Sequence, residues 1–204
     1  MIAIVDYNMG NLASVQNAFA KLGKETTIES NPEKFKDYDK LILPGVGAFG
    51  DAIEHLRERD MIAPLQEYAK SGKYMLGICL GMQLLFESSE EFGEHQGLGL
   101  IKGSVTHFDK NKFEENMKIP HMGWNTITSV IEHPVFNGID IGDYFYFVHS
   151  FAAPISDFTA ASCEYGNSFS AAIIKDNFIG CQFHPEKSQK AGLKFIQNFL
   201  DHFL

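Results

Sequence analysis

Cysteine is scarce in this chain of 204 residues, which holds only Cys79, Cys163 and Cys181. An odd, sparse set does not build a disulfide framework, so reduced thiols are expected, one of them chemical. Proline is scarce too, at seven, and no linker, internal repeat or low-complexity stretch divides the chain. With 45% hydrophobic residues, residues 1–204 read as one compact domain with a full core, which argues against disorder and a multi-domain plan. Basic residues are in deficit, 17 Lys and Arg against 26 Asp and Glu, for a formal net charge of −9. That balance disfavours nucleic acid as the main partner. No apolar run approaches the roughly 20 residues of a membrane span. Met1 to Val5 run into Asp6 without a basic leader segment. The expectation is a soluble, cytoplasmic protein with neither nucleic acid nor membrane as partner.

What the chain does have is alternation. Ile2-Ala3-Ile4-Val5 is a short apolar run of the kind a buried parallel strand shows, followed by turn-forming Asp6, Asn8, Gly10 and Asn11. From Leu12, apolar residues recur at Val15, Ala18, Phe19 and Leu22, one face of a helix that Gly23 ends. Further strands are predicted at Thr26–Ile28, Leu41–Leu43 and Tyr74–Ile78, with helices around Asp51–Arg59 and Pro64–Ser71. This is an α/β protein with a mostly parallel central sheet and flanking helices. After about residue 97 the pattern changes to short strands, among them Tyr144–Val148, Thr159–Tyr165 and Ala171–Gln182, the last interrupted by an Asp176-Asn177 turn. The C-terminal half therefore reads as antiparallel or mixed. Leu193, Ile196, Phe199, Leu200 and Phe203 have helical spacing, and Asp109–Asn116 is polar enough for a loop.

Gly77-Ile78-Cys79-Leu80-Gly81 stands where the fourth strand ends and an apolar helical stretch, Met82 to Phe86, begins. A nucleophile on such a strand-to-helix elbow projects from the sheet's carboxyl edge, and the two glycines remove side chains that would collide. Backbone N–H groups at the start of the next helix favour a thiolate, and that of Leu80 is placed to donate to an oxyanion. Gln83, one turn on, would face the same pocket and orient a polar substrate. Taken alone, Cys79 reads better as an inert cysteine at a tight turn, and it is the flanking glycines and a partner histidine that reverse this.

His184-Pro185-Glu186 supplies a base and its orienter. Two residues apart in extended chain, the side chains share a face, and Pro185 places the pair at a strand end. Cys79, His184 and Glu186 thus make up a nucleophile, base and orienter set. The bland readings are a surface histidine and a solvated carboxylate. Cys181 and His184 as metal ligands is a minor reading, because three-apart strand positions face opposite ways and no C-x-x-C pair supports them; no metal is expected. Gly45 to Gly50 spells G-x-G-x-x-G, but after the third strand and with Glu54 and Glu67 both in helical stretches, the wrong context for a dinucleotide. The preferred use is a turn whose N–H groups, around Val46 or Gly47, supply a second oxyanion donor; no cofactor is expected.

The string Gly77-Ile78-Cys79-Leu80-Gly81-Met82-Gln83, with His184-Pro185-Glu186, resembles the class I, triad-type glutamine amidotransferases. Within that family, Asp6–Leu12, Leu43–Phe49, His121-Met122-Gly123-Trp124-Asn125 and Tyr146–Ser150 resemble the glutaminase subunit of imidazole glycerol phosphate synthase, over nearly the whole chain. Phe151 departs from the tyrosine common there. The resemblance implies a flavodoxin-like fold and release of ammonia from L-glutamine through a Cys79 thioester, with His184 moving the proton and Glu186 steadying it. It implies an oxyanion hole from the backbone of Val46, Gly47 and Leu80, and substrate binding by Gly47, Gln83, His149 and Ser150. Ammonia would pass to a cyclase subunit, a barrel protein, in histidine biosynthesis. Asn11, Trp124, Tyr146 and Lys187 match or neighbour partner-facing positions, though Trp124 reads equally as core and Lys187 as a solvated charge. The alternatives are a duplicated copy feeding another pathway, such as surface-sugar modification, another cysteine-elbow amidase, and a non-catalytic scaffold.

Overall fold

The computed structural model describes residues 1–113 and 117–201. In chain order these form β1 (Ile2–Val5), α1 (Leu12–Lys21), β2 (Thr27–Glu29), β3 (Lys40–Leu43), α2 (Phe49–Glu58), α3 (Ile62–Lys70), β4 (Tyr74–Ile78), α4 (Leu80–Gln83), β5 (Phe86–Ser89), β6 (His95–Gln96) and β7 (Ile101–His107). There follow β8 (His121–Val130), β9 (Tyr144–His149), β10 (Phe151–Ala152), β11 (Thr159–Tyr165), β12 (Asn167–Lys175), β13 (Phe178–Cys181) and α5 (Gln189–Asp201).

The main sheet has nine strands in the order β2-β1-β3-β4-β13-β12-β11-β8-β9. From β2 to β13 neighbours are parallel, and from β13 to β9 they are antiparallel. The parallel strands are apolar on both faces because both faces are covered. Ala3, Val5, Leu41, Leu43 and Met75 pack with Phe49, Ile53 and Leu56 of α2 and Leu65 of α3. Ile4, Ile42, Leu76 and Ile78 pack on the other side with Phe19 of α1 and Phe195, Ile196 and Phe199 of α5. A fully buried side chain of this kind contributes about 1.5–3 kcal/mol, so the alternation within four-residue strands fixes both layers.

Helix α1 begins and ends where its sequence says. Asn11 Oδ1 accepts from the Ser14 N–H at 3.2 Å, a cap worth about 1 kcal/mol. At the other end Gly23 has φ +71°, with its N–H on the Ala20 carbonyl and that of Lys24 on Phe19, which closes a Schellman motif.

One expectation needs correction. The segment Met82 to Phe86 is not a continuous helix: α4 is a single turn and Phe86 opens β5. The carbonyls of Leu84, Leu85 and Phe86 accept instead from the N–H groups of residues 98 to 101, which takes them out of any helical ladder. That pairing belongs to a second sheet, β10-β7-β5-β6, which periodicity does not reveal. In the polar segment 109–116, Lys110–Lys112 form one 3-10 turn, while residues 114–116, like Phe203, lie outside the described residues. Among the described residues no helix is long and apolar enough to cross a membrane.

Candidate active site

The site starts from strand register. β13 runs parallel to β4 with Gly180 opposite Gly77 and Cys181 opposite Ile78, so the residues that follow the two strands emerge side by side. Cys79 follows β4 and leaves it at φ +54°, in the left-handed region. A non-glycine residue held there costs about 1–3 kcal/mol and persists only where its surroundings over-determine it. Here they do. The Cys79 N–H donates to the Cys181 carbonyl at 2.7 Å. A Cβ on Gly81 would lie 1.8 Å from the Leu43 carbonyl oxygen, and one on Gly77 would lie 2.8 Å from that of Gly81. Both flanking glycines are thus required by close backbone approach, as the sequence suggested.

His184 emerges three residues beyond β13. Its N–H donates to the Tyr146 carbonyl at 2.9 Å, and its carbonyl accepts from the Ser188 hydroxyl at 2.6 Å. Its Nδ1 lies 2.8 Å from Glu186 Oε1, with the two side chains only 3% and 2% exposed. The pair meets through a 3-10 turn, Pro185–Lys187, rather than along an extended strand. The outcome is the same, because that turn folds the carboxylate back onto the ring. Nε2 makes no hydrogen bond to the described residues, which leaves it available to a reactant. Burial of the ring opposes protonation, but the Cys79 sulfur and the Glu186 carboxylate outweigh it and raise the imidazole pKa to about 10.

Cys79 and His184 line one cavity of about 150 Å³ together with Val46, Gly47, Leu80, Gln83, Val148, His149, Ser150 and Phe151. Every residue singled out in the sequence for catalysis, oxyanion binding or substrate binding lies in this wall, except Glu186, which stands behind His184. Gln83 is present in a different capacity from a free amide: its Nε2 donates to the Phe151 carbonyl at 2.8 Å and to Gln182 Oε1 at 2.9 Å. Tyr7 is buried against the glycine loop and donates to the Pro44 carbonyl at 2.7 Å, and Gly47 takes φ +98°.

Four residues, Glu91, Gln182, His121 and Asn125, receive no site role from sequence. Glu91 lines the cavity as its carboxylate, half-buried, with its pKa raised by burial and by Asp51. Its Oε2 accepts from the Phe49 N–H at 2.8 Å, so the first turn of α2 is occupied by the chain's own carboxylate, contrary to what a pyrophosphate site would need. Gln182 is fully buried with Nε2 3.7 Å from Cys79 Sγ. His121 donates from Nδ1 to His149 Nε2 at 3.0 Å, and His149 Nδ1 donates to Phe151 O at 2.9 Å. Asn125 Nδ2 completes that chain at 3.2 Å from His121 Nε2. Burial lowers the pKa of His121 to about 4 and, with His121 adding, that of His149 to about 3, so both rings are neutral relays. No local pattern marks any of these contacts; that of His121 with His149 follows from the β8–β9 pairing, and Glu91 reaches α2 from the turn after β5.

Cys163 and Cys181 are buried thiols whose pKa values burial pushes up, that of Cys163 to about 12. Among the described residues no group of three or more His, Cys, Asp or Glu is gathered to hold a metal ion. Outside the cavity, β8 and β9 pair with Met122 opposite Val148 and Trp124 opposite Tyr146. One face of this pair is exposed: Trp124 at 46%, Met122 at 63% and Tyr144 at 60%. The Trp124 and Tyr146 rings lie 6.0 Å apart and Lys187 Nζ stands 5.8 Å from the Tyr146 ring, so Trp124 is a surface residue, not core. Asn11 is exposed as the cap of α1.

Fold and site together define an α/β enzyme class in which a cysteine on a strand-to-helix elbow meets a histidine–carboxylate pair. The family model described as "Glutamine amidotransferase class-I" matches residues 3–203. The chain is 64% identical to the imidazole glycerol phosphate synthase subunit HisH of Sulfurimonas denitrificans, over 98% of this chain and 97% of that one. It is 51% identical to the subunit of the same name from Wolinella succinogenes, over 98% and 99%. Among solved structures, that described as PurLQS from Thermotoga maritima superposes with a TM-score of 0.76 at 22% identity, covering 100% of this chain and 98% of that one, a likeness of fold. The chain belongs to the class-I glutamine amidotransferases and, within them, to the HisH subunits of imidazole glycerol phosphate synthase.

Proposed function

We propose that this chain hydrolyses L-glutamine to L-glutamate and ammonia for imidazole glycerol phosphate formation in histidine biosynthesis, with Cys79, His184 and Glu186 as its catalytic residues. The observation that carries the assignment is the shared wall: Cys79, at a left-handed elbow, and His184, braced 2.8 Å from Glu186, line the same cavity. With the imidazole pKa raised to about 10, the thiol proton already rests on His184, and Cys79 Sγ attacks the side-chain amide carbon as the thiolate. The tetrahedral oxyanion is met by the backbone N–H of Leu80 and of Val46 or Gly47. His184 returns the proton to the departing ammonia, leaving a glutamyl thioester. Water, deprotonated by His184, then attacks the thioester carbon and releases glutamate and the thiol.

The cavity, at about 150 Å³, is the size of one amino acid, and the polar groups in its wall suit glutamine. Glu91 offers a carboxylate for the α-ammonium group, while Gly47, Gln83 and the backbone at His149 and Ser150 shape the remainder. The exposed apolar face of Met122, Trp124 and Tyr144, beside Tyr146 and Lys187, suits a protein partner, which we assign to a barrel-shaped cyclase subunit that receives the ammonia in the cytoplasm. Tyr146 joins the two regions, since its carbonyl holds His184 while its ring lies in the partner face.

A glutamine-analogue electrophile tests this reading. With the partner subunit present it labels Cys79 once per chain and abolishes glutamine-dependent synthesis. Absence of labelling under those conditions would favour a scaffold of the same fold.

A further inference from the structure

Gln182 has no task in the reaction as written, yet its side chain is fully buried against the reacting sulfur, Nε2 lying 3.7 Å from Cys79 Sγ. A carboxamide has a donor end and an acceptor end, and which one faces the sulfur is settled by the groups around it. Gln83 lies with its terminal nitrogen 2.8 Å from the Phe151 carbonyl oxygen. That oxygen only accepts, so the NH2 end of Gln83 must be there. The same nitrogen is 2.9 Å from the oxygen of Gln182, which turns the Gln182 oxygen toward Gln83 and its NH2 toward Cys79. The Phe151 carbonyl is anchored in turn by a second donor, His149 Nδ1, at 2.9 Å. Reversing Gln182 would therefore set two oxygens against each other or an N–H against an N–H.

We propose that Gln182 is a further catalytic residue, whose amide N–H donates to Cys79 Sγ and stabilises the thiolate both before attack and as the leaving group of thioester hydrolysis. This rests on Cys79 being the nucleophile. The sulfur sits between two unlike partners: the Val148 carbonyl, 3.9 Å away, accepts from the thiol, and Gln182 donates to the anion. A donor to an ionised acceptor makes about twice the contribution of a neutral bond, so the Gln182 contact strengthens as the sulfur becomes charged. The Val148 carbonyl and the Gln182 amide set the direction of the sulfur together with the His184 ring. Gln83 and Phe151 act through Gln182 as positioning groups.

The test uses Gln182→Met, which keeps the length of the side chain, removes the donor and leaves the Gln83 bond to Phe151 in place. The alkylation rate of Cys79 by iodoacetamide is followed across pH by site-resolved mass spectrometry, on the full chain alone and with its partner subunit. The expected result is a pH midpoint raised by about one unit and alkylation roughly tenfold slower at pH 7, converging with the unsubstituted chain at high pH. Glutamine turnover should fall in kcat more than it rises in KM. A profile that overlays the unsubstituted chain overturns the proposal. Should the variant not fold, the unsubstituted chain labelled with 15N-glutamine carries the test. The Gln182 NH2 resonances should move on alkylation of Cys79 and titrate with the midpoint of the alkylation rate, and resonances indifferent to both overturn it. Failure of Cys79 to react with a glutamine electrophile overturns this inference and the amidotransferase reading together, whereas labelling with an unshifted profile removes only the role of Gln182.

Discussion

The backbone N–H of Cys79 donates to the Cys181 carbonyl at 2.7 Å, which ties the last turn of the nucleophile's strand to the strand that delivers the base. The parallel register continues as far as Ile78 opposite Cys181, so residues 79 and 182 emerge together although about a hundred positions separate them in the chain. Three residues past β13, the Tyr146 carbonyl catches the His184 N–H, and the ring is delivered to the same cavity as the thiol. The expected consequences follow from this convergence.

Cys79→Ala should abolish glutamine-dependent synthesis by the complex and leave synthesis from added ammonium intact, the outcome expected of the proposed ammonia-using partner subunit. Stability should change by about 1 kcal/mol or less, since alanine suffers the same left-handed backbone and the cavity gained is small. Parallel assays with glutamine and ammonium check this, and joint loss of both activities would contradict it.

Glu186→Gln keeps the shape of the side chain but replaces the acceptor 2.8 Å from His184 Nδ1 with a neutral amide. The ring loses the partner that fixes its tautomer and supports its positive charge, so kcat for glutamine should fall roughly 10²- to 10⁴-fold. Rates within threefold of the unsubstituted chain would remove Glu186 from the reaction.

Glu91→Gln removes the carboxylate of the cavity wall while retaining an acceptor for the Phe49 N–H. We expect KM for glutamine to rise about tenfold or more with a smaller change in kcat, the pattern of lost ground-state binding. Steady-state kinetics with the partner present decide it. An unchanged KM would place the α-ammonium group elsewhere.

Gly81→Ala should destabilise the fold by about 3 kcal/mol or more, because its Cβ would meet the Leu43 carbonyl oxygen at 1.8 Å and no side chain can yield. Gly72→Ala is the control: it also has a left-handed φ of +79° but nothing within 4 Å, and should cost about 1 kcal/mol. Urea unfolding of the two variants checks the difference.

The histidine relay makes stability fall on the acid side. His121 and His149 are buried with pKa values lowered to about 4 and about 3, against about 6.5 when unfolded. Below pH 6.5 the unfolded chain binds protons that the native chain refuses, so this contribution is fully present above 6.5 and is lost as pH falls toward 4 for His121 and toward 3 for His149. Each ring adds up to about 1.4 kcal/mol per pH unit across that window. Replacing His121 with Gln should flatten the decline in urea midpoint between pH 6.5 and 4. An unaltered slope would mean that the ring is already protonated in the native state.

The parts of this protein that the sequence alone determined are those encoded by near neighbours. Asn11 and Gly23 bound α1 because a cap and a left-handed turn need only the adjacent backbone. Tyr74–Ile78 reads as a buried strand because five residues suffice to show it, and Gly77 and Gly81 mark Cys79 because an elbow leaves no room for side chains. His184 and Glu186 are legible as a pair for the same reason, even though a turn rather than a strand joins them. Tertiary structure alone decided that Phe86 leaves the helix for a second sheet, that Glu91 enters the cavity, that the Gln83 amide is held internally and that Gln182 touches the sulfur. In each case the deciding partner is brought in by strand register or by a distant backbone group. A hydrogen bond between residues separated by a hundred positions leaves no periodicity in either, so only the assembled sheet specifies it.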